Sequence, residues 1–171
     1  MTGRFLRIAF AAAMAALLSG CWVSEEPLIT SDVAAAPDIV GTYRNEDDDN
    51  VAVSDLGGGQ YLFDDGSEPV TLAFLALGGD WYLAQFPLDT DEGEGEEFVY
   101  LYQPMRIVDR NLEFHMPDCT ADMADIEDVT IDDESCMVTS VPALHALSAR
   151  FMAKFDAGEV DNEPGVLTRI D

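Results

Sequence analysis

Basic side chains are scarce in this chain. Lys and Arg together number 8 against 34 Asp and Glu in 171 residues, a formal charge of −26 at pH 7. That deficit excludes a phosphate-tracking nucleic-acid protein, which needs clustered Lys and Arg. It equally excludes an electrostatic grip on anionic lipid. Histidine occurs twice, at His115 and His145, and cysteine three times. So few ligands leave no four-ligand zinc spacing and no His-Glu-x-x-His metalloprotease signature. A nucleophile elbow and a glycine-rich phosphate loop followed by Lys are also missing. No apolar run reaches the ~20 residues needed for a bilayer-spanning helix. Yet 48% of the residues are hydrophobic, too many for a wholly disordered acidic chain. Length and composition describe one ordinary domain.

The first twenty residues differ from the rest. They contain no acid, begin with Arg4 and Arg7, and continue into an unbroken apolar or small stretch from Ile8 to Leu18. A charged start, a short apolar centre and a small-residue end are the parts of a secretory signal peptide. The end is Leu18-Ser19-Gly20-Cys21, which resembles the lipobox of bacterial lipoproteins residue for residue. The resemblance covers residues 1–21. It implies diacylglycerol on the Cys21 sulfur, cleavage between Gly20 and Cys21, and acylation of the new amine. Two or three acyl chains anchor stably where one is marginal. Position 22 is Trp, and in that class the lack of Asp there implies transfer to the outer membrane, facing the periplasm. After cleavage 6 basic residues face 34 acids, a formal −28.

With Cys21 assigned to lipid, Cys119 and Cys136 remain. Export places them in an oxidising compartment, where pairing is the default. The loop they close, about 18 residues, is worth roughly 3 kcal/mol in the chain-entropy model. A metal site using His115, Asp118 and Cys119 is the alternative use of Cys119.

Residues 21–37 read as the lipidated cysteine and a flexible tether, since Ser, Glu, Asp, Ala and Pro follow one another there without periodicity. Residues 38–171 read as a single acidic, mainly β (α+β) domain. Short β runs broken by Gly and Asp recur from Ile39 onward. Val70, Leu72, Phe74 and Ala76 alternate, as do Phe98, Tyr100 and Tyr102. Gly78-Gly79-Asp80 and Asp109-Arg110-Asn111 read as hairpin turns. The expectation is an antiparallel meander or small barrel-like sheet. Gly41-Thr42-Tyr43 resembles, faintly, the Gly-x-Trp opening of lipocalin-type barrels, with Tyr in place of Trp. One helix is expected near residues 141–157. Ser140 is its N-cap and Pro142 lies in its first turn. Leu144, Leu147, Phe151 and Phe155 form its apolar stripe, and Gly158 ends it.

The acids cluster, with six between Asp89 and Glu97. Asp89, Asp91 and Glu94 are the candidate calcium ligands, because calcium takes several oxygens from a flexible loop. Gly93 stands where an EF-hand has a third ligand, so this is no EF-hand, and a plain solvated loop is the competing reading. Mutual repulsion predicts that salt or divalent cations raise the melting temperature. In Leu112–Met116 the apolar residues are even-numbered, which puts Glu113 and His115 on the polar face and predicts a solvated histidine. Enough carboxylates are present that no single pair stands out for glycoside chemistry. The expected function is a membrane-anchored envelope lipoprotein with a non-catalytic binding or structural role, its partners the bilayer and an envelope protein. The alternatives are a lipocalin-like module for a small ligand or Ca2+, and a carboxylate hydrolase. Beyond the covalent lipid, no cofactor is expected.

Overall fold

The computed structural model describes residues 20–89, 98–132, 135–161 and 163–171. Among these described residues, eleven strands and one α-helix appear in the order β1 (Trp22–Ser24), β2 (Gly41–Arg44), β3 (Asn50–Gly57), β4 (Gln60–Asp64), β5 (Val70–Gly78), β6 (Trp81–Asp89), β7 (Phe98–Val108), β8 (Asn111–Phe114), β9 (Val129–Asp132), β10 (Ser135–Val138), α1 (Val141–Asp156) and β11 (Gly165–Arg169). A 3-10 turn at Ala121–Asp125 precedes β9. Strands β2 to β8 follow one another as antiparallel neighbours, and β11 inserts between β8 and β2. The result is a closed antiparallel barrel of eight strands, mainly β with one helix, as the sequence predicts. The β6–β7 pairing, nine residue pairs from Trp81↔Arg106 to Asp89↔Phe98, is part of that ring.

Turn chemistry sets the registers. Gly78 and Gly79 have φ of 110° and 58° between β5 and β6, and Asp109 and Arg110 have φ of 50° and 70° between β7 and β8. The second pair has the positive-φ signature of a type I′ turn, whose twist matches antiparallel strands. Alternation then sends one set of side chains inward. Tyr43, Val51, Val53, Tyr61, Phe63, Leu72, Phe74, Met105 and Leu112 are buried together in the barrel. The Tyr61 and Phe74 rings meet edge to face at 5.6 Å. Ile39 closes one end of this core: the Tyr43 hydroxyl donates to its carbonyl at 2.8 Å, and the Tyr61 hydroxyl donates to the Pro37 carbonyl at 2.8 Å.

A second core lies outside the barrel wall. Helix α1 starts at Ser140, whose Oγ accepts from the Ala143 N–H. Its buried face, Leu144, Leu147 and Phe151, packs on Leu75 and Leu83 of the wall. Each such side chain contributes on the order of 1.5–3 kcal/mol of transfer free energy, an upper bound given a compact unfolded chain. Arg150 reaches Asp125 at 2.6 Å and Lys154 reaches Asp118 at 2.8 Å. The acidic stretch between the two cysteines is therefore partly tied to the helix.

Residues 22–37 are not a tether. Trp22–Ser24 pair with β7 on one side and β10 on the other. Trp22 has no exposed surface, and its indole N–H donates to the Asp118 carbonyl at 2.9 Å. Ser24 Oγ lies 2.7 Å from the Tyr102 hydroxyl. Ile29 is buried, and the Ala35 N–H donates to the Phe74 carbonyl at 2.7 Å. A few apolar residues at irregular spacing, with long-range partners, hold the segment down. The domain therefore includes residues 21–37 and does not begin at residue 38. Strands β9 and β10 are a further addition to the sequence reading.

Candidate functional site

Gly20 and Cys21 stand at the start of the described chain. Gly20 has φ of +98°. The Cys21 carbonyl accepts from the Cys136 N–H at 2.9 Å, which extends the β1–β10 pairing back to the cysteine. Its side chain lies with Val23 and Leu101 in an apolar cluster flanked by Phe86, Leu88, Val99, Met116 and Met137. Burial pushes the Cys21 thiol pKa up. A neutral, buried thiol is a poor nucleophile.

Cys119 and Cys136 form a disulfide, with Cα atoms 5.6 Å apart. It bonds the segment ahead of the 3-10 turn to β10. Cys136 is also the register partner of Trp22. The disulfide and the residue after Cys21 are thus parts of one small structure, a relation that spacing alone did not indicate.

His115 is the main departure from the sequence reading. It does share a face with Glu113, but α1 covers that face, and His115 is only 2% exposed. Trp81 and Phe155 lie 5.2 and 5.1 Å from it, ring centre to ring centre. The Arg106 guanidinium sits over Trp81 at 5.6 Å. Glu113 approaches Nε2 at 3.7 Å, too far for a hydrogen bond, and neither ring nitrogen has a hydrogen-bond partner among the described residues. Burial lowers the His115 pKa, against a weaker upward pull from Glu113. Alternation reported the shared face correctly. It carried no signal that a helix thirty residues later would cover it. His145 is exposed on α1.

Of the calcium candidates, Asp89 ends β6, while Asp91 and Glu94 lie outside the described residues. Among the described residues no group of three His, Cys, Asp or Glu could hold a metal. Among the described residues the carboxyls whose pKa shifts are Asp32, Asp65, Asp122 and Asp171. All are lowered, the first three chiefly by a neighbouring hydroxyl and Asp171 by the Thr42 N–H. Downward shifts favour the ionised form, the opposite of what a general acid needs. No protein-family model, curated protein or solved structure matches the chain.

Proposed function

We propose that this chain is a lipid-anchored protein of the bacterial cell envelope whose rigid β domain acts by binding, without catalysis. The observation that carries the reading is the lipobox-like Leu18-Ser19-Gly20-Cys21 standing directly ahead of a paired strand. A cut before Cys21 would leave β1 and every other described strand intact. The cluster around the sulfur is apolar, so an alkyl thioether meets no charged group among its named neighbours. Trp22 follows the cysteine, and the absence of Asp at that position supports an outer-membrane destination facing the periplasm. The Trp22 side chain is also committed to the core, so packing accounts independently for an apolar residue there.

The non-catalytic reading is supported by carboxyls that shift downward. An envelope protein is the partner we favour, because the barrel core is filled by Tyr43, Tyr61, Phe63 and Phe74, which leaves for contact the outer wall that α1 and residues 22–37 do not cover. A ligand carried inside the barrel would have to displace those rings.

The test is labelling of growing cells with radioactive palmitate, followed by membrane fractionation and density-gradient separation. Wild type should carry label and sediment with the outer membrane. Cys21→Ser should carry none and be released. Label on the Cys21→Ser protein, or unchanged sedimentation, would overturn the anchor. Crosslinking in intact cells then identifies the partner, which should be lost when the anchor is lost.

A further inference from the structure

A cavity of about 550 Å³ opens on the outer side of the barrel wall, between residues 27–31 and strands β4 to β7. Its size is that of a small-molecule pocket, which runs from roughly 300 to 1,000 Å³. It lies apart from Cys21, from the disulfide and from His115. Its chemistry is unusual for this chain. Thirty-four of 171 residues are acidic, yet among the described residues no charged one lines it. The polar groups are amides and hydroxyls, chiefly Gln60, Thr71, Gln85 and Tyr100.

Gln85 makes the wall a prepared one. It is 6% exposed. Its Oε1 accepts from the Ile29 N–H at 2.8 Å and from the Tyr102 hydroxyl at 3.1 Å, and its Nε2 donates to the Ile29 carbonyl at 3.3 Å. Those three bonds fix the amide's orientation. The second Nε2 hydrogen has no partner among the described residues, so a buried donor remains unspent in a residue that lines the cavity. Leaving such a donor unpaired costs free energy that a ligand oxygen would recover. Gly57-Gly58-Gly59 forms the rim. Here φ is positive throughout, and a Cβ on Gly59 would meet the Ala34 Cβ at 2.4 Å. The turn therefore packs against the 30–35 loop only as glycine, and it leaves the mouth without side chains.

We propose that this cavity binds a neutral, hydroxyl-rich ligand of the saccharide class. Sugar hydroxyls both donate and accept, which suits mixed amide and hydroxyl walls. The apolar face of a pyranose suits the half-buried Tyr100 ring. An anion or a cation would find no counter-charge among the described lining residues, and a wholly apolar ligand would strand the Gln85 donor. The site needs no lipid on Cys21, so it stands or falls separately from the anchor.

The test is calorimetric titration of the full chain, held in a zwitterionic detergent without sugar headgroups. The probes are cellobiose and N,N′-diacetylchitobiose, with a uronic-acid disaccharide as the charged control. One neutral disaccharide should bind at millimolar concentration or below, and the charged one should bind less. Tyr100→Ala and Gln60→Ala should each weaken binding by about tenfold, the equivalent of one lost contact. Gln60 is exposed, so its variant should keep the wild-type unfolding midpoint. The proposal is overturned if neither neutral disaccharide binds, if the uronic-acid disaccharide binds as well as the neutral ones, or if both variants bind like wild type.

Discussion

Replacing Trp22 by Ala separates a packed N-terminal strand from a tether by a wide margin. Trp22 has no exposed surface, and its ring stands edge-on to Phe151 with centroids 6.3 Å apart. Removing a buried Trp side chain costs about 3–5 kcal/mol, part transfer and part cavity. The indole bond to the Asp118 carbonyl adds roughly 1 kcal/mol and strands a backbone acceptor. Against a total stability of about 5–15 kcal/mol, the change removes about a quarter or more. For a domain of this size each kcal/mol moves the melting point by about 2–4 °C, so the expected fall is roughly 8–24 °C. Urea unfolding of the mature chain followed by fluorescence suits the test. The chain has two tryptophans, and the variant keeps Trp81 as reporter. Trp22→Phe retains most of the apolar volume and should lose less than half as much. A loss below about 0.5 kcal/mol for Trp22→Ala, the scale of an ordinary surface substitution, would refute the packing of residues 22–37.

Three other outcomes follow from the same structure. Burial lowers the His115 pKa, so the unfolded chain takes up a proton first, near pH 6.5. Stability linked to His115 is full above that pH and is lost as the pH falls through the lowered folded value. His115→Leu should flatten the slope above the carboxylate range, and an unchanged slope would remove His115 as its source. Replacing Cys119 and Cys136 together by Ala should cost roughly 3 kcal/mol and weaken protection of the β1 amides to hydrogen exchange, because β10 is the partner of β1. Normal β1 protection in that double variant would contradict the coupling. Raising salt from low to physiological, with millimolar calcium, should raise the melting temperature of a chain with a formal charge of −26. No rise would refute the repulsion argument.

Most of the barrel was legible because its strands are long enough to alternate and its turns carry Gly, Asp and Asn. Val70 to Ala76, Gly78-Gly79 and Asp109-Arg110 each indicated their own local geometry. Helix α1 was legible for the same reason, through Ser140, Pro142 and the stripe ending at Phe155. What failed was non-local. Strands β1, β9 and β10 have three or four residues each, too few for a period. They exist because Trp22, Cys136 and Val138 find a common core from distant parts of the chain. Insertion of β11 between β8 and β2 depends on where α1 returns the chain. The cavity was hidden likewise: Gln85 stands beside Phe86 in the sequence, and its significance comes from Ile29, 56 positions away.

The packing of residues 22–37 changes what an anchor at Cys21 would do. A flexible stretch of sixteen residues would hold the domain off the bilayer by roughly 20–24 Å. Instead the proposed lipidated residue is one Cα–Cα step, about 3.8 Å, from a tryptophan in the core. The acyl chains would then fix one face of the domain against the headgroups, and β1 could not reorient without breaking its pairs with β7 and β10. Partners would meet a fixed presentation of the barrel. The measurement is fluorescence quenching in zwitterionic vesicles containing brominated lipid, with lipidated Trp81→Phe protein so that Trp22 alone reports. Trp22 should be quenched, and a flexible sixteen-residue Gly-Ser spacer between Cys21 and Trp22 should abolish the effect while leaving the protein membrane-bound. Quenching that survives the spacer would show that the domain finds the bilayer by its own surface. Absence of quenching in the unspaced protein, with label still on Cys21, would refute the placement of this face against the headgroups.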